Sequence, residues 1–391
     1  MGSAPIGKGS HAHHMRKCNF TALHDPIRQR AFFAQGYFYT CLVRGSHDSF
    51  EGASSLGRLP CPNNIFRIEE EWYKYCRNYT FIVYLFQKWH STHMDRKELP
   101  ATLRVISGRS VPGGGFSEQP GAPFRVDATA WAILALKAVG AHSDLIESAL
   151  SRLASDQLSD GRVCVTQDQP QTFWPTPMAI LAWHGSGAYR KHQERAIKFL
   201  LTATGKHGKK SADAPFTHDT SIRGWPWIEY TFSWVEPTSM SVLSLCLSGF
   251  GANERVNEAV QMLMDRQLPS GGWNIGSSII YGRETYPQLD CTGLALTTLA
   301  RHVEKREIKR SLDYMKSQAV SCRTPLSLGW TLFGLGAWDE RPTEAERWIV
   351  ECLSRQKKFG AYGTTILSLL LLAYKAKSGF IEAISCGIQG K

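Results

Sequence analysis

The segments QLPSGGW (267–273) and LDCTGLALTTL (289–299) decide the fold of this chain. The first is a turn in which glycine stands four and tryptophan six positions after glutamine, and the second is an apolar run with a threonine near its start. The turn recurs with the same offsets after Gln157 and Gln356, with another large apolar residue in place of tryptophan, and a degenerate copy begins at Ser110. Self-similarity of this kind predicts a helical repeat protein.

A threonine opens each of six apolar runs along the chain. The threonines recur roughly every 30 to 60 residues, and they are Thr129, Thr176, Thr238, Thr292, Thr324 and Thr364. Before the turns lie amphipathic stretches, such as NEAVQMLMDRQ (257–267), whose apolar residues have helical spacing. Proline, threonine and acidic residues suit the first turn of a helix, and glycine suits its end. Each unit is therefore predicted to be an amphipathic outer helix, a turn and an apolar inner helix.

Six such units predict an all-α fold, an α/α toroid of alternating outer and inner helices around a central cavity. We place this toroid at residues 105–378. Residues 1–15 are expected to be a tag or a disordered leader, and residues 379–391 a C-terminal tail. The segment 16–104 is irregular in sequence, although FIVYLFQKW (81–89) suits an outer helix of the first unit.

Composition restricts the class of partner and the compartment. The formal net charge of +11 favours anionic partners, but the basic residues are spread along the chain, so we expect a solvated basic surface that contacts anionic membranes peripherally and no nucleic acid. The ten cysteines have no CxxC or CxxH spacing, which predicts reduced thiols and a cytoplasmic protein. No apolar stretch reaches the ~20 residues that a membrane span needs.

Three carboxylates stand two residues before a repeat threonine: Asp127, Glu236 and Asp290. An acid in this position can simply cap the helix and complement its dipole, which contributes about 1 kcal/mol. In a toroid, however, the shared register brings all three to the same end of the cavity. Like charges in a low-dielectric cavity keep a carboxyl protonated at neutral pH. We therefore take the three carboxylates as candidate catalytic residues.

Aromatic residues cluster near the predicted starts of the inner helices. The candidate substrate-binding residues are Trp131, Trp174, Trp225, Trp227, Phe232, Trp234, Tyr286 and Trp330. Such residues can fill a large helical core. On a cavity wall they would instead suit an apolar substrate or a stacked sugar, or stabilise a carbocation by cation–π attraction of ~2 kcal/mol.

The Gln-x3-Gly-x-Trp element and the inner helix that follows it resemble the QW repeat of squalene–hopene and oxidosqualene cyclases. The resemblance covers residues 105–378 and implies the same α/α toroid. In that family an Asp-x-Asp-Asp-Thr-Ala run opens an inner helix, and RVDATA (125–130) corresponds to it here. The resemblance implies that Asp127 is the proton donor. Arg125 and Ala128 replace the neighbouring acids, and the arginine would hold Asp127 in its ionised form.

The same toroid occurs in protein prenyltransferase β subunits, which bind zinc. Catalytic zinc needs three protein ligands, and only Asp290 matches a ligand position of that family. We therefore expect no metal and no cofactor.

The leading hypothesis is a terpene cyclase-like enzyme that cyclises an isoprenoid, a hydrophobic small molecule, in an acid-initiated reaction. Because the chain is short for a two-domain triterpene cyclase, a homo-oligomer or a partner subunit is also expected. One alternative is a non-catalytic toroid that binds an isoprenoid or a peptide. Another is a carbohydrate-active α/α barrel, in which Asp127 and Glu236 would stand about 5 to 9.5 Å apart.

Overall fold

The computed structural model describes residues 97–386, and most of these residues are helical. In chain order its helices are α1 (97–107), α2 (Val126–Val139), α3 (Ser143–Ser155), α4 (Thr176–Trp183), α5 (Arg190–Thr202), α6 (Val235–Leu247), α7 (Glu254–Asp265), α8 (Leu289–Leu299), α9 (Lys309–Ala319), α10 (Pro325–Gly336), α11 (Ala345–Ser354), α12 (Gln356–Phe359), α13 (Thr364–Lys375) and α14 (Phe380–Cys386). A 3-10 turn, Gly187–Tyr189, precedes α5, and two short strands, β1 (Ile279–Ile280) and β2 (Arg283–Glu284), pair antiparallel.

Six of the described helices are apolar on nearly all sides: α2, α4, α6, α8, α10 and α13. In α2 every residue from Val126 to Leu136 is buried, and in α4 every residue is buried. A helix that is apolar all round needs protein on every side. These helices begin at or near the repeat threonines, so the predicted inner helices are confirmed.

The helices between them are amphipathic. Helix α3, for example, buries Ala149, Leu150 and Leu153 and presents its polar residues to solvent. Each inner helix packs against the next one in the chain, and α13 packs against α2, which closes the ring. The predicted all-α toroid is therefore confirmed for the part of the chain that the structure describes.

The repeat threonines fasten the inner helices to the turns that precede them. The hydroxyl of Thr292 accepts a hydrogen bond from the backbone N–H of Trp273 at 2.9 Å and lies 3.0 Å from the carbonyl oxygen of the same residue. The other equivalent pairs are Thr129 with Phe116, Thr176 with Val163, and Thr238 with Trp225. A buried hydroxyl that satisfies both polar groups of one residue explains why threonine recurs at this position.

In the turns that begin at Gln157 and Gln267, the glutamine and the glycine dock the unit onto the next outer helix. The Gln267 side-chain amide donates to the hydroxyl of Ser311 at 2.8 Å, at the start of α9. Gly271 has a φ of 104°, and a Cβ there would come within 2.6 Å of the carbonyl carbon of Arg310. Only glycine combines a positive φ with so close a backbone approach. The repeat is thus a connector between units.

The last unit is tied to the first described turn by side-chain hydrogen bonds. The buried guanidinium of Arg109 donates to the carbonyl oxygen of Tyr362 at 2.8 Å and to the hydroxyl of Thr364 at 3.2 Å. The Glu118 carboxylate accepts from the N–H of Thr365 at 3.1 Å and from its hydroxyl at 2.9 Å. These contacts link residues about 250 positions apart and support the ring closure.

Helix α14 lies in the segment that we assigned to a C-terminal tail. Its residues Phe380, Ala383 and Ile384 are buried. Neither a repeat glycine nor a repeat threonine precedes this helix, so the repeat pattern contains no signal for it. The predicted leader, the segment 16–96 and the proposed outer helix at 81–89 lie outside the described residues. Between residues 97 and 386, no helix combines the length and the apolar character needed to cross a bilayer.

Candidate functional site

The N-terminal ends of the inner helices surround a cavity of ≈ 380 Å³. Its wall is mostly aromatic and aliphatic, and its polar side chains are Glu118, Arg125, Asp127, Glu236 and Thr365. Acidic and apolar side chains therefore line one cavity at the centre of the ring. The cavity lies at the end of the ring where we expected carboxylates. A concave apolar site with a few convergent polar groups is the usual form of a small-molecule site.

The residue two positions after the repeat threonine lines the cavity in all six units. These residues are Trp131, Met178, Met240, Leu294, Leu326 and Ile366. Only Trp131 was among our candidate site residues; the other five were missed. The signal was present in the sequence, because a fixed offset from a repeated anchor places a side chain on the same helix face each time.

Asp127 forms a two-point ion pair with Arg125. The Nε and Nη2 atoms of Arg125 lie 2.9 and 2.7 Å from the two carboxylate oxygens of Asp127. The Asp127 side chain is 12% exposed and that of Arg125 44% exposed. The hydrogen bond to Asp127 is the largest factor that raises the pKa of Arg125. Both carboxylate oxygens of Asp127 therefore accept charge-assisted bonds from one guanidinium.

Glu236 occupies the same register in α6 but has a different environment. It lines the cavity, and among the described residues no cation pairs with it. By its accessible surface Glu236 is an exposed residue, although many protein atoms surround its carboxyl at the cavity wall. Burial, followed by the nearby charge of Asp290, raises the pKa of Glu236. Glu236 is thus the carboxyl of this site that environment favours in its protonated form.

Asp290 is half-buried in the first turn of α8 and does not line the cavity. Its charge acts on neighbouring groups: it contributes to the raised pKa of Glu236 and, after burial, to that of Cys291. A thiol with a raised pKa is a poor metal ligand and a poor nucleophile. Within residues 97–386 no three histidine, cysteine or acidic side chains are close enough together to hold a metal ion.

Four of the eight candidate aromatic residues line the cavity: Trp131, Trp174, Trp227 and Trp330. Trp131 and Trp330 meet edge to face with ring centroids 6.0 Å apart. Both also pack on Phe380 of α14, at 5.7 and 5.4 Å. Helix α14 therefore supports the aromatic part of the cavity wall from behind.

The other four candidates lie elsewhere. Trp225 is fully buried outside the cavity: its Nε1 donates to the carbonyl oxygen of Leu200 at 3.0 Å, and the Arg255 guanidinium carbon lies 3.9 Å from its ring centroid. The backbone N–H of Trp225 donates to the Thr238 hydroxyl, so Trp225 is the large turn residue of the third unit. This role was not predicted, because the turn before Trp225 lacks the Gln-x3-Gly pattern. Phe232 and Trp234 line a second cavity, and Tyr286 is 88% exposed.

The chain has the all-α toroid fold that is also seen in a type II terpene cyclase, and its central cavity is lined by carboxyl and aromatic side chains.

Solved structures with this fold include variants of the type II terpene cyclase MstE from Scytonema. A complex with geranylgeranyl dihydroxybenzoate, its substrate, is 12% identical with a TM-score of 0.51, over 76% of this chain and 99% of that chain. A complex with merosterolic acid A, its product, is 12% identical with a TM-score of 0.50, over 77% and 99%. No protein-family model and no curated protein sequence matches this chain. At such identity the likeness establishes the fold.

Proposed function

We propose that this protein is a type II terpene cyclase-like enzyme that protonates an isoprenoid and closes rings in the central cavity. The observation that carries the proposal is Glu236, a carboxyl with a raised pKa on a wall of aromatic and aliphatic side chains. A protonated acid in an apolar site is what acid-initiated cyclisation needs, since the site must donate a proton and then exclude water from the cation.

In the proposed first step the O–H group of Glu236 transfers its proton to a terminal double bond or an epoxide oxygen of the substrate. The π electrons form the new C–H bond, or the epoxide C–O bond opens, and a tertiary carbocation results. The next double bond supplies the electron pair for the new C–C bond, and loss of a proton ends the sequence. Because an epoxide is more basic than an alkene, a weaker acid would be enough to protonate it.

The proton donor that we propose differs from the one that the resemblance to the cyclases implies. Asp127 stands where that family has its proton donor, but its two oxygens are bound by Arg125. Proton donation by Asp127 would first require this ion pair to open. We therefore assign the proton to Glu236 and treat Asp127 as a fixed anion at the same end of the cavity.

The aromatic wall supports the later steps. The faces of Trp131, Trp174, Trp227 and Trp330 are available to a carbocation formed in the cavity, and each desolvated cation–π contact stabilises it by about 2 kcal/mol. The MstE complexes support an isoprenoid as the class of substrate, because that cyclase holds a geranylgeranyl compound within the same fold. Peripheral membrane contact and a partner subunit stay predictions.

A non-catalytic isoprenoid-binding toroid is the second candidate, favoured by the Arg125–Asp127 ion pair that neutralises the family's donor position. The carbohydrate alternative has less support, because aliphatic side chains such as Met178, Met240 and Leu294 make up much of the wall.

The test is incubation of the protein with prenyl diphosphates, squalene and their epoxides, with products identified by gas chromatography and mass spectrometry. Glu236→Gln should abolish any product that the wild type forms. Glu254→Gln removes an exposed carboxylate from the first turn of α7 and serves as the matched control. Equal product from Glu236→Gln and wild type would refute the assignment of Glu236. Tight isoprenoid binding without turnover would favour the binding protein.

A further inference from the structure

A second cavity, of ≈ 170 Å³, lies beside the aromatic insertion that follows α5. Four basic side chains line it, and none of the described residues in its wall is acidic. They are Lys206, His207, His218 and Arg266. This concentration of basic groups is unlike the central cavity, where Arg125 is the one cationic side chain among the described lining residues.

Arg266 brings a buried permanent charge to this second cavity. The residue is 4% exposed, and its Nη1 and Nη2 atoms donate to the carbonyl oxygens of Gly276 at 3.3 Å and Asp219 at 3.2 Å. Its Nε makes no hydrogen bond and lies 3.5 Å from a carboxylate oxygen of Asp265. Burial lowers the pKa of Arg266 to about 10, so the guanidinium remains charged at neutral pH.

His218 brings an unsatisfied nitrogen. The residue is 8% exposed, and its ring stacks on Phe216 with centroids 4.4 Å apart and an angle of 14° between the planes. Its Nδ1 is buried and has no hydrogen-bond partner in the protein. A buried polar atom without a hydrogen-bond partner destabilises the folded protein. A ligand that offers hydrogen-bonding oxygens would remove this cost.

Lys206 and His207 are the other two basic residues of this cavity wall. Lys206 is exposed, with its Nζ 5.9 Å from the ring centroid of Phe232. His207 is half-buried, and its Nε2 lies 3.4 Å from the hydroxyl of Ser233. Two permanent cations and two imidazoles therefore face one small space, an arrangement that suits an oxygen-rich anion.

We propose that this second cavity binds an oxyanion of the phosphate or diphosphate type. The anion is either free or the head group of an isoprenoid diphosphate. Trp234 lines this cavity and stacks on Trp227, at 5.5 Å and 21°, while Trp227 lines the central cavity. The bound anion thus lies directly behind the aromatic wall of the central cavity. Binding at this site does not depend on the proposed cyclisation.

The test is a calorimetric titration of the protein with inorganic pyrophosphate and inorganic phosphate. We expect saturable binding with one site per chain. Lys206→Gln, which removes a charge, and His218→Phe, which keeps the stack on Phe216, should each weaken binding about tenfold, the loss of one charge-assisted hydrogen bond. Arg306→Gln is the control, because it lowers the net charge equally at an exposed position (81% exposed side chain) outside the cavity wall.

Competition then identifies the source of the anion. If geranylgeranyl diphosphate displaces pyrophosphate and geranylgeraniol does not, the site holds an isoprenoid head group; if neither displaces it, the site holds the free anion. The proposal is overturned if pyrophosphate and phosphate show no saturable binding. It is equally overturned if Arg306→Gln weakens binding as much as Lys206→Gln, or if both cavity variants bind like the wild type. Melting curves verify that each variant is folded.

Discussion

The first turns of α2 and α6 carry carboxylates in the same register with opposite surroundings. Asp127 and Glu236 both stand two residues before a repeat threonine, and both line the central cavity. Arg125 binds both oxygens of Asp127, whereas Glu236 has no cationic partner in the described part of the chain and has a raised pKa. The repeat therefore determines where an acid lies, and the neighbouring residues determine its electrostatic environment.

The largest expected effect comes from Glu236→Gln. If Glu236 is the general acid, its replacement by a nearly isosteric amide should lower product formation at least about 100-fold. Product assays at saturating substrate measure this change, and the thermal midpoint should stay close to that of the wild type. Asp127→Asn should have a much smaller effect on product formation. The reverse ranking would return the donor role to Asp127.

A variant of the aromatic wall should have the next largest effect. Trp330→Leu keeps an apolar side chain but removes a ring face from the cavity. Loss of about 2 kcal/mol of cation–π stabilisation should slow cyclisation roughly 30-fold. Trp225→Leu is the comparison, because Trp225 lies outside the cavity; it should lower the melting temperature and leave the product pattern unchanged. Equal changes in the products of both variants would contradict this placement.

Removal of the Arg125–Asp127 ion pair should make Asp127 more similar to Glu236 as a proton donor. In the background of Glu236→Gln, Arg125→Leu would release both carboxylate oxygens of Asp127 from the guanidinium and leave them open to the cavity. We expect about a tenfold recovery of product formation relative to the single variant. Arg104→Leu, at an exposed position in α1, is the control for loss of positive charge. If the double variant recovers nothing, Arg125 is not what separates Asp127 from the chemistry.

The repeat threonines Thr129 and Thr238 follow the two carboxylates in sequence and should make similar contributions to stability. Thr129→Val and Thr238→Val each remove a hydroxyl that bonds a buried backbone N–H, at 2.8 and 2.9 Å. The unsatisfied backbone groups should lower the free energy of unfolding by about 1–3 kcal/mol in each variant. Urea denaturation measures both. A negligible loss in either variant would show that the hydroxyl is dispensable there.

The smallest effect concerns the pH dependence of stability. Because the pKa of Glu236 is raised in the folded protein, the folded state keeps this proton at a pH where the unfolded chain has released it. The free energy of unfolding should therefore fall as pH rises from the ordinary carboxyl range through the raised pKa. Solvent screening at this exposed residue keeps the fall below the limit of about 1.4 kcal/mol per pH unit. Glu236→Gln should lack this component. Parallel stability curves for the two proteins would contradict the raised pKa.

Much of the fold and part of the site could be predicted from the sequence. The repeat turns and the threonines predict the inner helices because the anchoring hydrogen bonds are short-range and recur with each unit. The cavity wall follows the same logic, since the second residue after every repeat threonine lines it. Trp225 was misplaced as a substrate-binding candidate, because its turn lacks the glutamine and glycine of the other repeats.

The ring of helices and the end of the ring at which carboxylates and aromatics gather could be predicted from the amino-acid sequence, because both depend on helical periodicity and on contacts within a repeat. The direction of the Glu236 pKa shift and the set of basic side chains around the second cavity arise only in the folded ring. Glu236 and Asp290 lie on different helices, and His218 and Arg266 on different segments. Their electrostatic interactions depend on distances that arise only when the ring is assembled.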